Sequence, residues 1–382
     1  MANKFAGEVE QMKKTRSQPG TPEIGGSQSA STVNVPTMST VEEMATVDDL
    51  GILFDDRVEK RVLNEIKTTE LPEDIEDIIL DDGVLGDREE LSWKWVWHVC
   101  TELLTLDCVG DEYRQEAYEA KALMAIYVTL VDDIGEQLND KATFWELAKT
   151  AYPEAEPDWE REDINSDYAH SIRRVWTELM DRLESAPRFD EFEDPFMFNL
   201  RETVQAMEYT QMSDEYSAFM NPEEMWHFDT QGIGSFLYWT VDLMYSPSFE
   251  MDDFREFRQL VHELQHMWRL GNWITTWEEE VYEQDFSAGV FVEALNNGVI
   301  DETDIERLES GETNPERLIG RIKASGIVEQ FIADWKRRRD RLHERDFEMQ
   351  SLDADQMVVM MERMMRNHLA ASTDDRQYPE AV

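Results

Sequence analysis

Asn272, Thr276 and Glu280 stand at steps of four in RLGNWITTWEEE, residues 269–280. On an α-helix, positions i, i+4 and i+8 share one face. The stretch therefore predicts an amide oxygen, a hydroxyl and a carboxylate in a row, all hard oxygen donors of the kind magnesium takes. A second set lies upstream in YVTLVDDIGEQ, residues 127–137, where Asp132 and Asp133 directly follow an apolar run and Glu136 is one helical turn beyond Asp132. Vicinal carboxylates repel each other and are eased by a cation between them. Two such faces, brought together by the fold, would make one site for several metal ions. The alternative for the aspartates is an acidic surface patch.

A rival motif precedes the first set on the same predicted helix. His262-Glu263-Leu264-Gln265-His266 has the HExxH form of zinc peptidases, in which two histidines at i and i+4 bind zinc and the glutamate acts as general base. The extended form HExxHxxGxxH is absent, and the chain holds seven His in all, so no third ligand is indicated. Upstream again, MWHFDTQGIGSFLYWT (residues 225–240) carries Gly232 and Gly234 inside an apolar helical pattern. Each glycine costs about 1 kcal/mol relative to alanine in a helix, so the pair predicts a deliberate break, with a plain interhelix loop as the alternative. Trp226, Phe228, Phe236 and Trp239 near the break, and Trp93 and Trp97 one turn apart, are large aromatics that serve either a core or the wall of a cavity.

The elements that must position these residues are helices. Segments 113–131, 142–151, 168–185, 198–220, 252–285 and 327–348 repeat apolar residues at spacings of three and four. Sustained period-two runs and Asn-Gly or Asp-Gly hairpins are missing, and no fixed repeat emerges. Pro and Gly punctuate at 153–157, 187–195, 221–222, 246–247 and 310–315. Residues 1–45, rich in Ser, Thr, Pro and Gly, predict a disordered tail. Residues 46–370 then predict a single all-α domain, and 371–382 a flexible C-terminal tail.

Composition limits the partners. With 36 basic against 84 acidic side chains the formal net charge is −48, which opposes nucleic acid and anionic membranes as partners. Such a surplus of Asp and Glu, with 11 Lys against 25 Arg, suits a halophile's salt-filled cytoplasm, where counter-ions screen the repulsion. It also means that most carboxylates here are surface solvation. At 382 residues, 41% of them hydrophobic, the chain is long enough for a large core. Two cysteines, Cys100 and Cys108, give no disulfide framework. No apolar run approaches the roughly 20 residues of a membrane span. Lys4, Glu8 and Glu10 interrupt any export signal, so a cytoplasmic location is expected.

Taken together, the two metal faces resemble those of class I terpene synthases. Their aspartate-rich motif, DDxxD or DDxxE, is matched by Asp132, Asp133 and Glu136. Their second motif, Asn or Asp, then Ser or Thr, then Glu at steps of four, is matched by Asn272, Thr276 and Glu280. The interval between the motifs is also similar, and the resemblance covers most of residues 85–370. It implies a class I terpenoid synthase-like bundle of many antiparallel helices around a central cavity, with three Mg2+ ions bound together with substrate diphosphate. The implied activity is that of a lyase of isoprenoid biosynthesis, in which an allylic prenyl diphosphate (farnesyl or geranylgeranyl) is ionised and the cation becomes a terpene hydrocarbon or alcohol. Arg269 takes the place of an arginine that binds diphosphate. The broken helix at Gly232 implies backbone facing the substrate, with Trp226, His227 and Phe228 as its neighbours in the substrate site.

Three positions depart from the pattern. Trp226 and His227 occupy the region of a diphosphate-sensing arginine. Glu279 stands where a lysine often precedes the last glutamate. Arg376 and Tyr378 only approximate a C-terminal Arg-Tyr pair. These departures leave two alternatives beside the synthase: a non-catalytic prenyl-diphosphate-binding or regulatory protein on the same fold, and the HExxH zinc metallopeptidase. The state of assembly is open between monomer and homodimer.

Overall fold

In a computed structural model, which describes residues 50–374 apart from 81–83, 86–89, 137 and 217–218, the three-and-four periodicity becomes fifteen α-helices with no strand among the described residues. The described residues all belong to one compact unit. The expected tail at 1–45 lies outside the described residues, as does 375–382. In order the helices are α1 (Asp56–Lys67), α2 (Glu73–Leu80), α3 (Glu90–His98), α4 (Arg114–Glu136), α5 (Lys141–Leu147), α6 (Ser166–Ser185), α7 (Phe189–Glu215) and α8 (Pro222–Gly232). There follow α9 (Ser235–Met244), α10 (Phe254–Glu283), α11 (Gly289–Asn296), α12 (Glu302–Glu309), α13 (Pro315–Ser325), α14 (Ile327–His343) and α15 (Ala354–Asp374). The last helix runs through 371–374, beyond the expected start of the C-terminal tail.

Two helices form the frame for the site. Helix α4 is buried nearly all round, with Ala120, Leu123, Met124, Tyr127, Leu130 and Ile134 sealed from solvent, which marks a central rather than a surface helix. It packs on α6, α7 and α9. Helix α10 buries Leu260, Leu264, Met267, Trp273 and Trp277 along one stripe and packs against α8, α9, α11, α13, α14 and α15. Helix α9 touches both α4 and α10. Its link to α4 is a fully buried ion pair, Lys121 Nζ to Asp242 Oδ1 at 2.9 Å. Lys121 also donates to the Leu104 carbonyl and to Thr105 Oγ1, and Asp242 Oδ2 accepts from Leu106 N. This satisfies most of the polar atoms the pair brings into the core.

The punctuation expected at 187–195 is only partly real. Helix α7 begins at Phe189 and runs through Pro195. A proline inside a helix costs about 3 kcal/mol, but Phe192 and Phe196 on either side of it are both sealed in the core. Each such side chain contributes about 2 to 3 kcal/mol by burial, so packing outweighs the lost backbone bond. The break expected at the glycines is present. Helix α8 ends at Gly232, and Gly234 adopts φ +69° as it starts α9, a left-handed conformation that glycine enters without steric cost.

Candidate metal and diphosphate site

The helix break and the second motif meet at one guanidinium. Arg269 Nη2 donates to the backbone carbonyl of Asp229 at 2.8 Å and lies 3.3 Å from that residue's Oδ1. Nη1 donates to Asn272 Oδ1 at 3.1 Å. Asp229 is buried, and its Oδ2 accepts from Trp273 Nε1 at 3.1 Å. Gly232 leaves the room this needs: a Cβ there would stand 2.7 Å from Arg269 Nη2. The glycine thus serves a close side-chain approach as well as the helix end.

Along α10 the second motif is knitted together. The Thr276 hydroxyl lies 2.6 Å from Glu280 Oε1 and 2.9 Å from the Asn272 carbonyl, and it donates to one of them at a time. Glu280 Oε2 is sealed from solvent without a hydrogen-bond partner. Helix α10 stops at Gln284, whose φ of 64° turns the chain, and Asp285 N then donates back to the Glu280 carbonyl. The Asp285 carboxylate accepts from the Ser287 backbone and hydroxyl.

The first motif shares this environment. Asp132 is half-buried and Asp133 buried near the end of α4. Glu136 closes that helix. Burial pushes the Asp132 carboxyl up to about 7, with Asp133, Asp285 and Asp229 adding repulsion and Arg269 opposing it. Burial likewise pushes Glu280 up to about 8, Asp285 and Asp229 again repelling, while the Thr276 bond and Arg269 pull the other way. Asp229 is raised by burial against the pull of Arg269. The carboxyls of Asp132 and Glu280 thus feel the same neighbouring charges, Asp229, Asp285 and Arg269. Among the described residues no three His, Cys, Asp or Glu side chains close up into a ready metal cage.

Sequence reasoning missed Asp229 and Asp285. Asp229 carried a usable signal, an acid within an otherwise apolar helical run, the same that singled out Asp132. Asp285 carried none, since it follows EEEVYEQ in a chain full of surface acids.

The remaining candidates are packed among rings or exposed. Trp226 is taken up in packing: it stacks on His266 and Phe331, meets Trp273 edge-on at 5.0 Å, and lies under Arg338. His227 is exposed, and Phe228 stacks on Tyr209 at 5.5 Å. In the HExxH stretch, His266 Nδ1 donates to the His262 carbonyl at 2.8 Å. Glu263 pairs with Arg338 at 2.9 Å and with Arg341 at 3.6 Å. An open groove of about 290 Å3, lined by Thr101, Arg114, Tyr118 and Arg363 among others, lies at the opposite end of α4 from Asp132.

No protein-family model matches the chain, and no curated protein is similar to it. Among the described residues no helix is long and apolar enough to cross a membrane.

Proposed function

We propose that the protein is a magnesium-dependent class I terpene synthase, ionising an allylic prenyl diphosphate (farnesyl or geranylgeranyl) with release of pyrophosphate. The observation that carries this reading is that Arg269 joins the helix break to the second motif, bonding Asp229 at the end of α8 and Asn272 on α10. The sealed Glu280 Oε2 supports it further. A buried carboxylate oxygen without a donor is costly unless a proton or a cation meets it.

The donor set fits magnesium better than zinc. Magnesium keeps several waters and is held by one or two carboxylates plus substrate phosphates rather than by an all-protein cage. Asp132, Asp133 and Glu136 would hold it from α4, and Asn272, Thr276 and Glu280 from α10. When bound, magnesium neutralises the diphosphate and makes it a better leaving group. Arg269 adds guanidinium donors to the departing diphosphate, a strong charge-assisted contact. Asn272 fixes the plane of that guanidinium through Nη1. The Gly232–Gly234 break, one turn beyond Phe228 and its stacking partner Tyr209, would form part of the wall that such a reaction needs to keep water from the substrate.

One observation favours a second reading, a prenyl-diphosphate-binding protein without turnover. Trp226, at the position of the sensing arginine, is engaged in ring packing, which leaves Arg269 as the cation that the resemblance assigns to diphosphate. The deciding assay is purified protein in molar salt with magnesium and geranyl, farnesyl or geranylgeranyl diphosphate. Pyrophosphate release is followed, and extracts are analysed by gas chromatography–mass spectrometry. A terpene product from one substrate supports the synthase. A raised melting temperature without consumption supports the binder, and neither response sinks both.

A further inference from the structure

We propose that Asp229 is the positioning residue of this site: it clamps the Arg269 guanidinium against the break between α8 and α9, so that an incoming diphosphate must draw Arg269 away from Asp229. The clamp itself is independent of the function proposed above; only the identity of the incoming anion rests on it.

Four observations carry the inference. Asp229 holds Nη2 twice, through its carbonyl at 2.8 Å and its Oδ1 at 3.3 Å. Its other oxygen is fixed by Trp273, so the carboxylate cannot swing freely. Gly232 lets the guanidinium lie close to the end of α8, with room that a methyl group would fill. The same end of α8 is braced from both sides: Gln265 Nε2 donates to Gln231 Oε1 at 2.8 Å, and Thr203 Oγ1 to the Gln231 carbonyl at 3.2 Å.

The state of Arg269 shows what the clamp withholds. Its side chain is 15% exposed, and its Nε is sealed without a partner. A guanidinium with an unused donor has capacity for another acceptor, yet an anion reaches that donor only if the side chain turns outward. An Asp229 carboxylate left behind also repels the anion that displaces it. Asp229 therefore sets a threshold: a bare anion gains too little, whereas an anion arriving with cations, which also answer Asp132 and Glu280, gains enough. Selection of the metal-loaded diphosphate over the free one follows.

The test is Asp229→Asn, whose amide oxygen still accepts from Trp273 while the charge facing Arg269 is gone. Phenylglyoxal labelling with peptide mapping reads Arg269 directly, with no ligand present. Labelling of Arg269 should be several-fold faster in the variant than in the wild type, with other arginines unchanged; equal rates overturn the clamp. Gly232→Ala, which pushes on the guanidinium from the other side, should accelerate the same peptide and guards against a folding defect in Asp229→Asn. Calorimetry with inorganic diphosphate and magnesium should then give about tenfold tighter binding in Asp229→Asn, a difference of about 1.4 kcal/mol. Damage to the fold would weaken binding instead, and weaker or equal binding overturns the threshold. If the wild type binds no magnesium diphosphate while Arg269 labelling still responds, the clamp stands and the terpene synthase reading falls.

Discussion

Lys121 Nζ and Asp242 Oδ1 meet at 2.9 Å with neither side chain exposed, and the pair fixes where α4 stands against α9. Because α9 also packs on α10, the pair lies on the element that bridges the two helices carrying the candidate motifs. Removing one partner strands a buried charge, at a cost of about 3 to 5 kcal/mol. Lys121→Met should therefore lower unfolding free energy by that amount in denaturant titrations. The double variant Lys121→Met/Asp242→Leu should recover much of it, because the stranded charge is gone. A double variant less stable than the single one would show that the pair is a net source of stability.

The carboxylates of the site should trade stability for binding. Asp132 and Glu280 have native values near 7 and 8, above the carboxylate range of about 4 in an unfolded chain. Between those limits the native state holds more protons than the unfolded one, so stability falls as pH rises, and the penalty is complete above about pH 8. Asp132→Asn and Glu280→Gln escape it. Without magnesium both should melt higher than the wild type at pH 8.5 and about equally at pH 4. Magnesium with diphosphate should raise the melting temperature of the wild type, and both variants should lose that rise. Variants that melt lower at pH 8.5 would refute the assignment of strain to these two groups.

Glu146 should behave in the opposite sense. Burial pushes its carboxyl up, but donors from Asp158 N, Lys149 and Arg161 outweigh this and hold it at about 2. A depressed value contributes stability above the unfolded value of about 4.3, lost as pH falls through 2. The shift corresponds to roughly 3 kcal/mol. Lys149 and Arg161 are 40% and 39% exposed, so screening trims this to about 2 kcal/mol. Glu146→Gln should show that loss at pH 7 and almost none at pH 2, by urea unfolding at the two values.

Gly289 tests the support of Trp273. A Cβ at Gly289 would lie 2.6 Å from the indole ring, and that indole donates to Asp229. Gly289→Ala should cost about 1 to 3 kcal/mol by overpacking and loosen Asp229, so Arg269 labelling rises with it. A stable variant with unchanged labelling would mean that the ring moves without consequence.

The helical class, the break at Gly232–Gly234 and the long α10 were legible because each rests on local signals: periodicity, glycine pairs and spacing of four. The start of α7 was not, since Pro195 reads as a stop and only the burial of Phe192 and Phe196 outweighs it. The motif residues were visible through their spacing, whereas the clamp was not. It depends on the carbonyl of Asp229 meeting a side chain 40 residues later in the chain, which no local pattern reports. The surroundings of Trp226 were hidden for a related reason: its ring is apolar enough to line a cavity or to join a core, and its neighbours, His266, Trp273 and Phe331, come from other helices.

Where α10 ends has a consequence for engineering the chain. The left-handed residue Gln284 returns Asp285 to the last turn of the helix within a single hydrogen-bonded loop. One inserted residue there would swing Asp285 away from Glu280 and shift every later position, so that junction should resist fusion, tagging or lengthening. The turns at Gly298 and Gly311, where an added Cβ meets nothing within 4 Å, are the natural places to graft a reporter.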